Sequence, residues 1–181
     1  MRIFKTRLND CYIVEPQVFN DERGFFLETF NDIRYKEILN IKYSFVQDNH
    51  SHSAKNVLRG LHFQNKNPQG KLVRVINGEV FDVAVDLRKN SSTFGKWHGE
   101  YLSEFNKKQF WIPPGFAHGF LVTSDSADFE YKCTSYYDPN NEGCIRWDDP
   151  DLDIKWPMKN PVLSLKDSKG SNFRDLFNES C

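Results

Sequence analysis

The chain lacks the features that mark membrane-spanning, secreted and nucleic-acid-binding proteins. No segment of its 181 residues approaches the roughly 18 consecutive apolar residues of a membrane helix. The charged stretch Met1–Val14 has no apolar centre of the kind found in signal peptides. Lys and Arg number 24 against 25 Asp and Glu, so the formal net charge of −1 lacks the basic excess of a nucleic-acid or membrane-surface binder. We therefore expect a cytoplasmic protein without nucleic-acid or membrane partners.

Cysteine is scarce, and internal repeats and low-complexity runs are missing. The residues Cys11, Cys133, Cys144 and Cys181 form no Cys-x-x-Cys pair, which disfavours a disulfide framework or a zinc knuckle and predicts reduced thiols. A chain of this length is typical of one domain that buries roughly 70% of its unfolded surface. We predict a single domain over residues 1–181, with an accessory tail over residues 168–181.

Aromatic residues, by contrast, are abundant. The chain contains 16 Phe, 7 Tyr and 4 Trp although only 39% of its residues are hydrophobic, which suits pleated sheets. Only two short helices are indicated, one that begins at Asn31 or Asp32 and ends at Asn40, and one over residues 173–177. Turn residues separate many short strands, a pattern typical of a jelly-roll sandwich or barrel. These strands are predicted at Leu72–Ile76, Glu79–Leu87, Gly99–Leu102, Gln109–Ile112, Gly119–Thr123 and Phe129–Thr134.

The first two of these strands are joined by Asn77-Gly78, a two-residue turn signal of the hairpin type. Along the second strand, Asp82 and Asp86 share a face with Ala84. Two acids on one face predict that this face is wet, either as outer surface or as the wall of a polar cavity.

Two histidine segments resemble the metal-binding motifs of cupin barrels. The stretch from Pro113 to His118 has the form Pro-x-Gly-x-x-His of the second motif. Where metal-binding cupins have His-x-His, this chain reads His62-Phe63-Gln64, and an amide is a poor replacement for imidazole at a transition metal. We therefore predict a mainly β, cupin-like barrel with a polar cavity and neither metal nor cofactor. A neutral histidine is a competent base near pH 7 if a carboxylate, a cation and an acid surround it.

A series of longer motifs, in order along the chain, resembles the nucleotide-sugar 3,5-epimerases, specifically the dTDP-4-dehydrorhamnose 3,5-epimerase family. The resemblance extends from Glu15 to about Asp167. It is carried by the segments Phe19–Glu28, Phe45–Ser51, Asn56–Gln64, Gln69–Arg74, Gly78–Asp86, Trp111–Phe120 and Tyr131–Tyr137.

The resemblance implies a cofactor-free epimerisation at C3 and C5 of a 4-keto-6-deoxy sugar linked to a nucleoside diphosphate. Both hydrogens are α to the ketone, so each can leave to form an enolate. By position, the family's base matches His62, its carboxylate partner Asp167, its general acid Tyr131, and the cation beside the C4 oxygen Lys71.

Substrate contacts also follow from the resemblance. Arg59, Gln47 and Asn49 match contacts to the diphosphate and sugar. A second group lies in the segment that, in the family, crosses to the partner subunit and holds the nucleotide, which implies a homodimer. This group consists of Phe19, Arg23, Phe26 and Glu28. We expect His118 to lie next to the site residues and to support them without reacting with the substrate itself.

Each of these residues also has a plainer structural interpretation. These are a core histidine for His62, a buried hydrogen-bonded one for His118, a core tyrosine for Tyr131, an edge lysine for Lys71, a surface carboxylate for Asp167, and a surface ion pair for Arg23 and Glu28.

One conflict yields a structural prediction. Arg59 and His62 are three residues apart, so a regular strand points them to opposite faces. Both can line one cavity only if the strand is irregular, and Gly60 permits a bulge.

Other functions remain open from the sequence. A mono-epimerase, or an epimerase for another nucleotide-linked ketosugar such as a GDP-linked heptose, needs the same catalytic residues. A nucleotide-sugar-binding cupin without turnover and a metal-dependent cupin oxygenase or isomerase are the alternatives from other classes.

Overall fold

The computed structural model describes residues 1–177, in which strands far outnumber helices. The two α-helices in this range are α1 (Asp32–Leu39) and α2 (Phe173–Phe177), and a 3-10 turn covers Asp167–Lys169. The strands are β1 (Arg2–Lys5), β2 (Tyr12–Glu15), β3 (Val18–Asp21), β4 (Gly24–Leu27), β5 (Gln47–Ala54), β6 (Leu58–Gln64), β7 (Lys71–Asn77), β8 (Glu79–Asp86), β9 (Trp97–Ser103), β10 (Gln109–Ile112), β11 (Phe116–Val122), β12 (Ser126–Cys133) and β13 (Glu142–Cys144).

Most strands belong to two antiparallel sheets that pack face to face. One sheet has the order β1-β2-β10-β7-β12-β5 and the other β13-β6-β11-β8-β9, while β3 and β4 pair only with each other. Apolar side chains from both sheets fill the space between them, and Phe120 of β11 stacks on Phe129 of β12 with a centroid distance of 4.2 Å. This arrangement confirms the predicted mainly β jelly-roll barrel with short peripheral helices.

Both outer faces of the barrel are also covered. Helix α1 packs Tyr35 and Leu39 onto the six-stranded sheet; Asn31 caps it by accepting a hydrogen bond from the Arg34 amide, and it ends at Asn40 in the left-handed conformation. The C-terminal segment covers the five-stranded sheet with apolar side chains that include Leu152, Trp156, Phe173 and Phe177. The predicted tail therefore packs on the barrel as far as residue 177, and residues 178–181 lie outside the described range. Neither helix has the length or the apolar character needed to cross a membrane.

The face of β8 that carries Asp82 and Asp86 is not outer surface, which was one of the two predicted options. Asp82, Ala84 and Asp86 are fully buried because this face points between the two sheets and the C-terminal segment covers the other. Each acid has partners: Asp82 contacts the His118 ring, and Asp86 accepts hydrogen bonds from Arg88 and nearby hydroxyl groups. Of the two options, only the polar interior remains.

The Asn77-Gly78 turn exists but does not form a hairpin. Gly78 has the positive φ of 79° that the signal predicts. Strand β7 nevertheless pairs with β10 and β12, while β8 pairs with β11 and β9 in the other sheet. The turn therefore moves the chain from one sheet to the other.

Sequence patterns missed the N-terminal strands, of which β5 is the clearest example. Its sequence from Gln47 to Ala54 is polar up to its last residue, so it carries no apolar alternation. It forms because it pairs with β12 along its whole length.

The predicted irregularity at Gly60 is confirmed. In the β6–β11 ladder His62 lies opposite His118 and Arg59 lies opposite Phe120, so three steps on β6 match two on β11. Gly60 has a φ of 121°, and the Gly60–Leu61 peptide bond is cis. A Cβ atom at this position would lie 2.6 Å from the Cα of Gly119, so only glycine fits.

We expect the Gly60→Ala variant to lose at least about 2 kcal/mol of unfolding free energy, because strain at positive φ adds to a backbone clash. Gly24→Ala is the matched control, since Gly24 has a similar φ of 129° but nothing within 4 Å of an added Cβ. Urea unfolding of both variants separates the cost of strain at positive φ, which both share, from the cost of the backbone clash, which only Gly60→Ala has. Equal losses would show that the close approach of β6 and β11 contributes nothing.

Candidate active site

A pocket between the two sheets brings together three of the predicted catalytic residues. His62 of β6 lies on the wall formed by the five-stranded sheet, and Lys71 of β7 and Tyr131 of β12 lie on the opposite wall. The pocket is open to solvent and has a volume of about 440 Å³. Its remaining lining consists of Phe63, Gln64, Gln69, Phe116, Tyr137 and Glu142.

Asp167 lies directly behind His62. Its Oδ1 is 2.5 Å from Nε2 of His62, and its Oδ2 accepts a hydrogen bond of 2.8 Å from the Ser164 hydroxyl. Burial acts to raise the pKa of Asp167, but the His62 ring, Ser164 and the backbone N–H of Gly60 outweigh it and hold the pKa below its usual 3.8. An ionised Asp167 accepts a hydrogen bond from Nε2–H of a neutral His62, which leaves Nδ1 with its lone pair. The surface-carboxylate interpretation is therefore wrong, because Asp167 is only 4% exposed.

Lys71 and Tyr131 lie close together on the opposite wall. The ammonium group of Lys71 is 5.7 Å from the centroid of the Tyr131 ring. Burial raises the pKa of Tyr131 to about 12, so its hydroxyl keeps its proton at neutral pH. Burial lowers the pKa of Lys71, which lies inside the pocket and not at a sheet edge, because β7 runs between β10 and β12.

Three further predicted residues lie beside this wall, on β5 and β6. The Gln47 amide donates to the amide oxygen of Asn49, and both residues lie on the face of β5 that points inward. The Arg59 guanidinium donates a 3.0 Å hydrogen bond to Ser53 on the same face. The buried Ser51 hydroxyl, also on that face, has no hydrogen-bond partner within residues 1–177.

The cupin motif positions do not fit a metal ion. The Gln64 amide is engaged with the backbone of Asn67, Tyr136 and Asp138. His118 directs Nε2 to both oxygens of Asp82, at 3.1 and 2.9 Å. His118 is buried opposite His62 on the neighbouring strand and does not line the pocket, and this burial lowers its pKa.

The four residues predicted to hold a nucleotide are not in this pocket. Phe19 and Phe26 lie on the β3–β4 hairpin and are 56% and 69% exposed. Arg23 pairs with Asp21 at the tip of this hairpin. Glu28 pairs with Arg34, so the alternative of an ion pair between Arg23 and Glu28 was wrong.

Sequence reasoning missed two residues of β13, of which Glu142 lines the pocket and Cys144 does not. Glu142 accepts a hydrogen bond of 2.6 Å from the Tyr137 hydroxyl and a salt bridge from Lys166. Cys144 lies 3.9 Å from Oδ1 of Asp167, and burial raises the pKa of its thiol to about 12. Both come from β13, a strand of three residues whose sequence Glu-Gly-Cys carries no pattern that predicts a strand.

Comparison with known proteins identifies the family. The sequence profile of dTDP-4-dehydrorhamnose 3,5-epimerases matches residues 5–175. The chain belongs to this family. It is 56% identical to the dTDP-4-dehydrorhamnose 3,5-epimerase of Shigella flexneri over 176 residues, which are 97% of each chain. The members of the family are epimerases, and this chain is accordingly an isomerase.

Solved structures of epimerases agree with this assignment. The 3,5-epimerase of Legionella pneumophila, solved in complex with dTDP-4-keto-L-rhamnose, is 54% identical with a TM-score of 0.94, covering 98% of this chain and 94% of its own. A 3′-monoepimerase of Streptomyces bikiniensis, in complex with dTDP-quinovose, is 30% identical with a TM-score of 0.86, covering 92% and 85%. The cupin-like fold is therefore shared by epimerases that differ in the number of carbons they invert.

We predict that Asp167→Asn lowers the unfolding free energy at pH 7 by about 1–3 kcal/mol, because it weakens a buried, charge-assisted hydrogen bond. The folded pKa of Asp167 is depressed, so its contribution is present above pH 3.8 and is lost as the pH falls through the folded value. The difference in unfolding free energy between the wild type and the variant, measured by urea unfolding, should therefore become smaller at about pH 3.

The control is Asp153→Asn, which alters an exposed pair with Lys155 and should change stability by less than about 0.5 kcal/mol. A gap for Asp167→Asn that is independent of pH would contradict the assignment of Asp167 as an ionised partner of His62.

Proposed function

We propose that this protein epimerises dTDP-4-dehydro-6-deoxy-D-glucose at C3 and C5 to dTDP-4-dehydro-L-rhamnose. The observation that carries the proposal is one pocket in which a carboxylate-bound histidine faces a protonated tyrosine and a lysine on the opposite wall. The high identity to curated 3,5-epimerases over nearly the whole chain supports the same reaction.

His62 is the base in this proposal. Its Nδ1 makes no hydrogen bond within residues 1–177, whereas Nε2–H is held by Asp167. The free lone pair takes the proton from the carbon next to the C4 ketone, and Asp167 stabilises the imidazolium that results. The electron pair of the broken C–H bond forms a double bond between this carbon and C4. The π pair of the C4 ketone moves onto its oxygen, which becomes a negatively charged enolate oxygen.

Lys71 and Tyr131 complete the step. The ammonium group of Lys71 stabilises the enolate oxygen in a partly desolvated pocket, where charge interactions are stronger than in water. Tyr131 donates its proton to the same carbon from the other face, because it lies on the other sheet. Solvent then restores the proton to the tyrosine and removes the proton from the histidine, and the cycle repeats at the second carbon.

Double inversion is favoured by the high identity to curated 3,5-epimerases. The 3′-monoepimerase has the same fold at 30% identity, so the fold does not distinguish the two outcomes. The diphosphate is assigned to Arg59, whose planar group can contact two oxygens, with Gln47 and Asn49 beside it. Because activated sugars of this kind are made inside the cell, a cytoplasmic location belongs to the proposal.

The proposal includes a homodimer. The β3–β4 hairpin pairs with no other strand in residues 1–177 and exposes Phe19, Phe25 and Phe26. Such exposed aromatic groups are unusual on a monomer and suit an interface or a nucleotide base. We assign the hairpin, with Arg23 and Glu28, to the nucleotide end of the partner's pocket.

Incubation with dTDP-4-keto-6-deoxyglucose in heavy water, followed by NMR, tests the catalytic assignment. We expect His62→Ala to lower both deuterium uptake and epimerisation by about 10²–10⁴-fold, because the base is removed. Tyr131→Phe should retain deuterium uptake from the His62 face but lose net inversion. Tyr101→Phe, an exposed tyrosine on β9, is the control and should behave as wild type.

Unchanged exchange in His62→Ala would show that His62 is not the base. Deuterium at only one of C3 and C5 would indicate a mono-epimerase. Activity that disappears after exhaustive treatment with EDTA would indicate a metal-dependent isomerase, and binding without exchange a non-catalytic module.

The double substitution Phe19→Asp and Phe26→Asp should convert the dimer to monomer, because it places charge in an apolar interface, and it should also raise the KM for the nucleotide sugar. Sedimentation velocity and steady-state kinetics measure both effects. Phe105→Asp is the control, since Phe105 is 86% exposed and lies outside the hairpin. A double variant that remains dimeric would refute the role of this hairpin.

A further inference from the structure

We propose that His62, Asp167 and Cys144 form an inhibitory site for a thiophilic divalent metal ion such as Zn²⁺. A ring nitrogen, a carboxylate oxygen and the Cys144 sulfur lie within 4.8 Å of one another. It is the one such group of His, Cys and acidic ligands within residues 1–177. The site shares His62 with the cupin motif but does not include Gln64 and His118, which are already engaged.

The three ligands are held in place by the fold. Cys144 on β13 is the direct cross-strand partner of His62 on β6, so both side chains lie on one face. Asp167 reaches the same point from the C-terminal 3-10 turn. The sulfur of Cys144 is 3.9 Å from Oδ1 of Asp167, and Nε2 of His62 is 2.5 Å from the same oxygen.

Shifts of roughly 1 Å in the ligand atoms, which already lie within 4.8 Å of one another, would admit the ion. Tetrahedral zinc with ordinary bond lengths separates a nitrogen and an oxygen ligand by roughly 3.4 Å, and an oxygen and a sulfur ligand by roughly 3.6 Å. The sulfur–oxygen distance in this structure is already close to that value. The Nε2–Oδ1 distance must open by roughly 0.9 Å, which a rotation of the His62 ring or the Asp167 side chain can provide.

The ligand types favour soft or borderline metals. Thiolate and imidazole together select Zn²⁺ and Co²⁺ over Mg²⁺, which prefers oxygen ligands. The thiol proton of Cys144 is released to solvent on binding, because a coordinating thiol is deprotonated by the ion. The step involves no redox change.

Metal binding would prevent His62 from accepting the substrate proton but would leave the pocket open to the substrate. The metal takes the lone pair of Nε2, so a neutral His62 ring carries its single proton on Nδ1. The nitrogen that accepts the substrate proton then becomes a donor. The metal lies on the Asp167 side of the ring, away from Lys71 and Tyr131, so substrate binding should be preserved.

The assay of inhibition rests on the proposed epimerase activity, and a spectroscopic assay does not. With ZnCl₂ we expect kcat to fall at least about tenfold with KM nearly unchanged, with recovery in EDTA and no effect of MgCl₂. With CoCl₂ we expect a thiolate-to-cobalt charge-transfer absorption in the near ultraviolet, which persists when dTDP is added.

Cys144→Ser is the decisive variant, because it keeps size and removes the soft ligand. It should retain turnover, weaken zinc inhibition at least about tenfold and lose the cobalt absorption. Cys11→Ala, which removes a buried thiol elsewhere in the barrel, should remain inhibited.

Three results would overturn the metal site: equal inhibition of Cys144→Ser and wild type, inhibition that raises only KM, or no cobalt absorption in the wild type. A cobalt signal that depends on Cys144 in a protein without epimerase activity would refute the proposed function and leave the metal site intact.

Discussion

The hydrogen bond between His62 and Asp167 is the contact on which the proposed chemistry depends, because it decides which ring nitrogen is free. The bulge in β6 contributes to both partners. It turns His62 into the pocket although Arg59 is only three residues away, and it directs the Gly60 amide toward the Asp167 carboxylate. That amide and Ser164 help to keep Asp167 ionised despite its burial. One irregular glycine therefore supports the orientation of the base and the charge of its partner.

In the proposed reaction, the two-sheet architecture places the base and the acid on opposite faces of the sugar ring. Of the proposed catalytic residues, His62, Lys71 and Tyr131 each project from a strand that is paired on both sides, so the two ladders set the direction of the side chain. A stereochemical inversion needs this separation, since a base and an acid on the same strand would act on the same face. The shared fold of the 3,5-epimerase and the 3′-monoepimerase is consistent with a scaffold that fixes the opposed pair and leaves the number of inversions to finer details of sugar placement.

How far the sequence predicts this structure depends on whether a feature is local. Helix α1 follows from the Asn31 cap and the Asn40 end, and the bulge follows from the spacing of Arg59 and His62, because both are properties of a few neighbouring residues. The pairing of β7 and β8 could not be predicted in the same way, since the Asn-Gly signal specifies a turn and not the partners of the strands that follow. The polar strand β5 has no hydrophobic pattern, and its existence depends on β12 far along the chain.

In the candidate site, too, the sequence predicts only features that depend on neighbouring residues. Position in a family motif was needed to single out Asp167, because a carboxylate in an irregular segment 105 residues from its partner has no local signature.

Gln64 and His118, two of the cupin motif positions, do not suit a metal ion because their polar groups are already engaged. The Gln64 amide is hydrogen-bonded to the backbone of Asn67 and Asp138, and the His118 ring is hydrogen-bonded to buried Asp82. A metal at these positions would leave those backbone groups and that carboxylate without partners, at a cost of about 1–3 kcal/mol for each buried group. In the proposed reaction the electrostatic task of a metal falls to Lys71 instead. Burial lowers the pKa of Lys71. A partly desolvated ammonium group interacts more strongly with a developing enolate than a fully hydrated one does. The barrel can therefore polarise a ketone with a side chain alone, provided that its histidine stays free of metal.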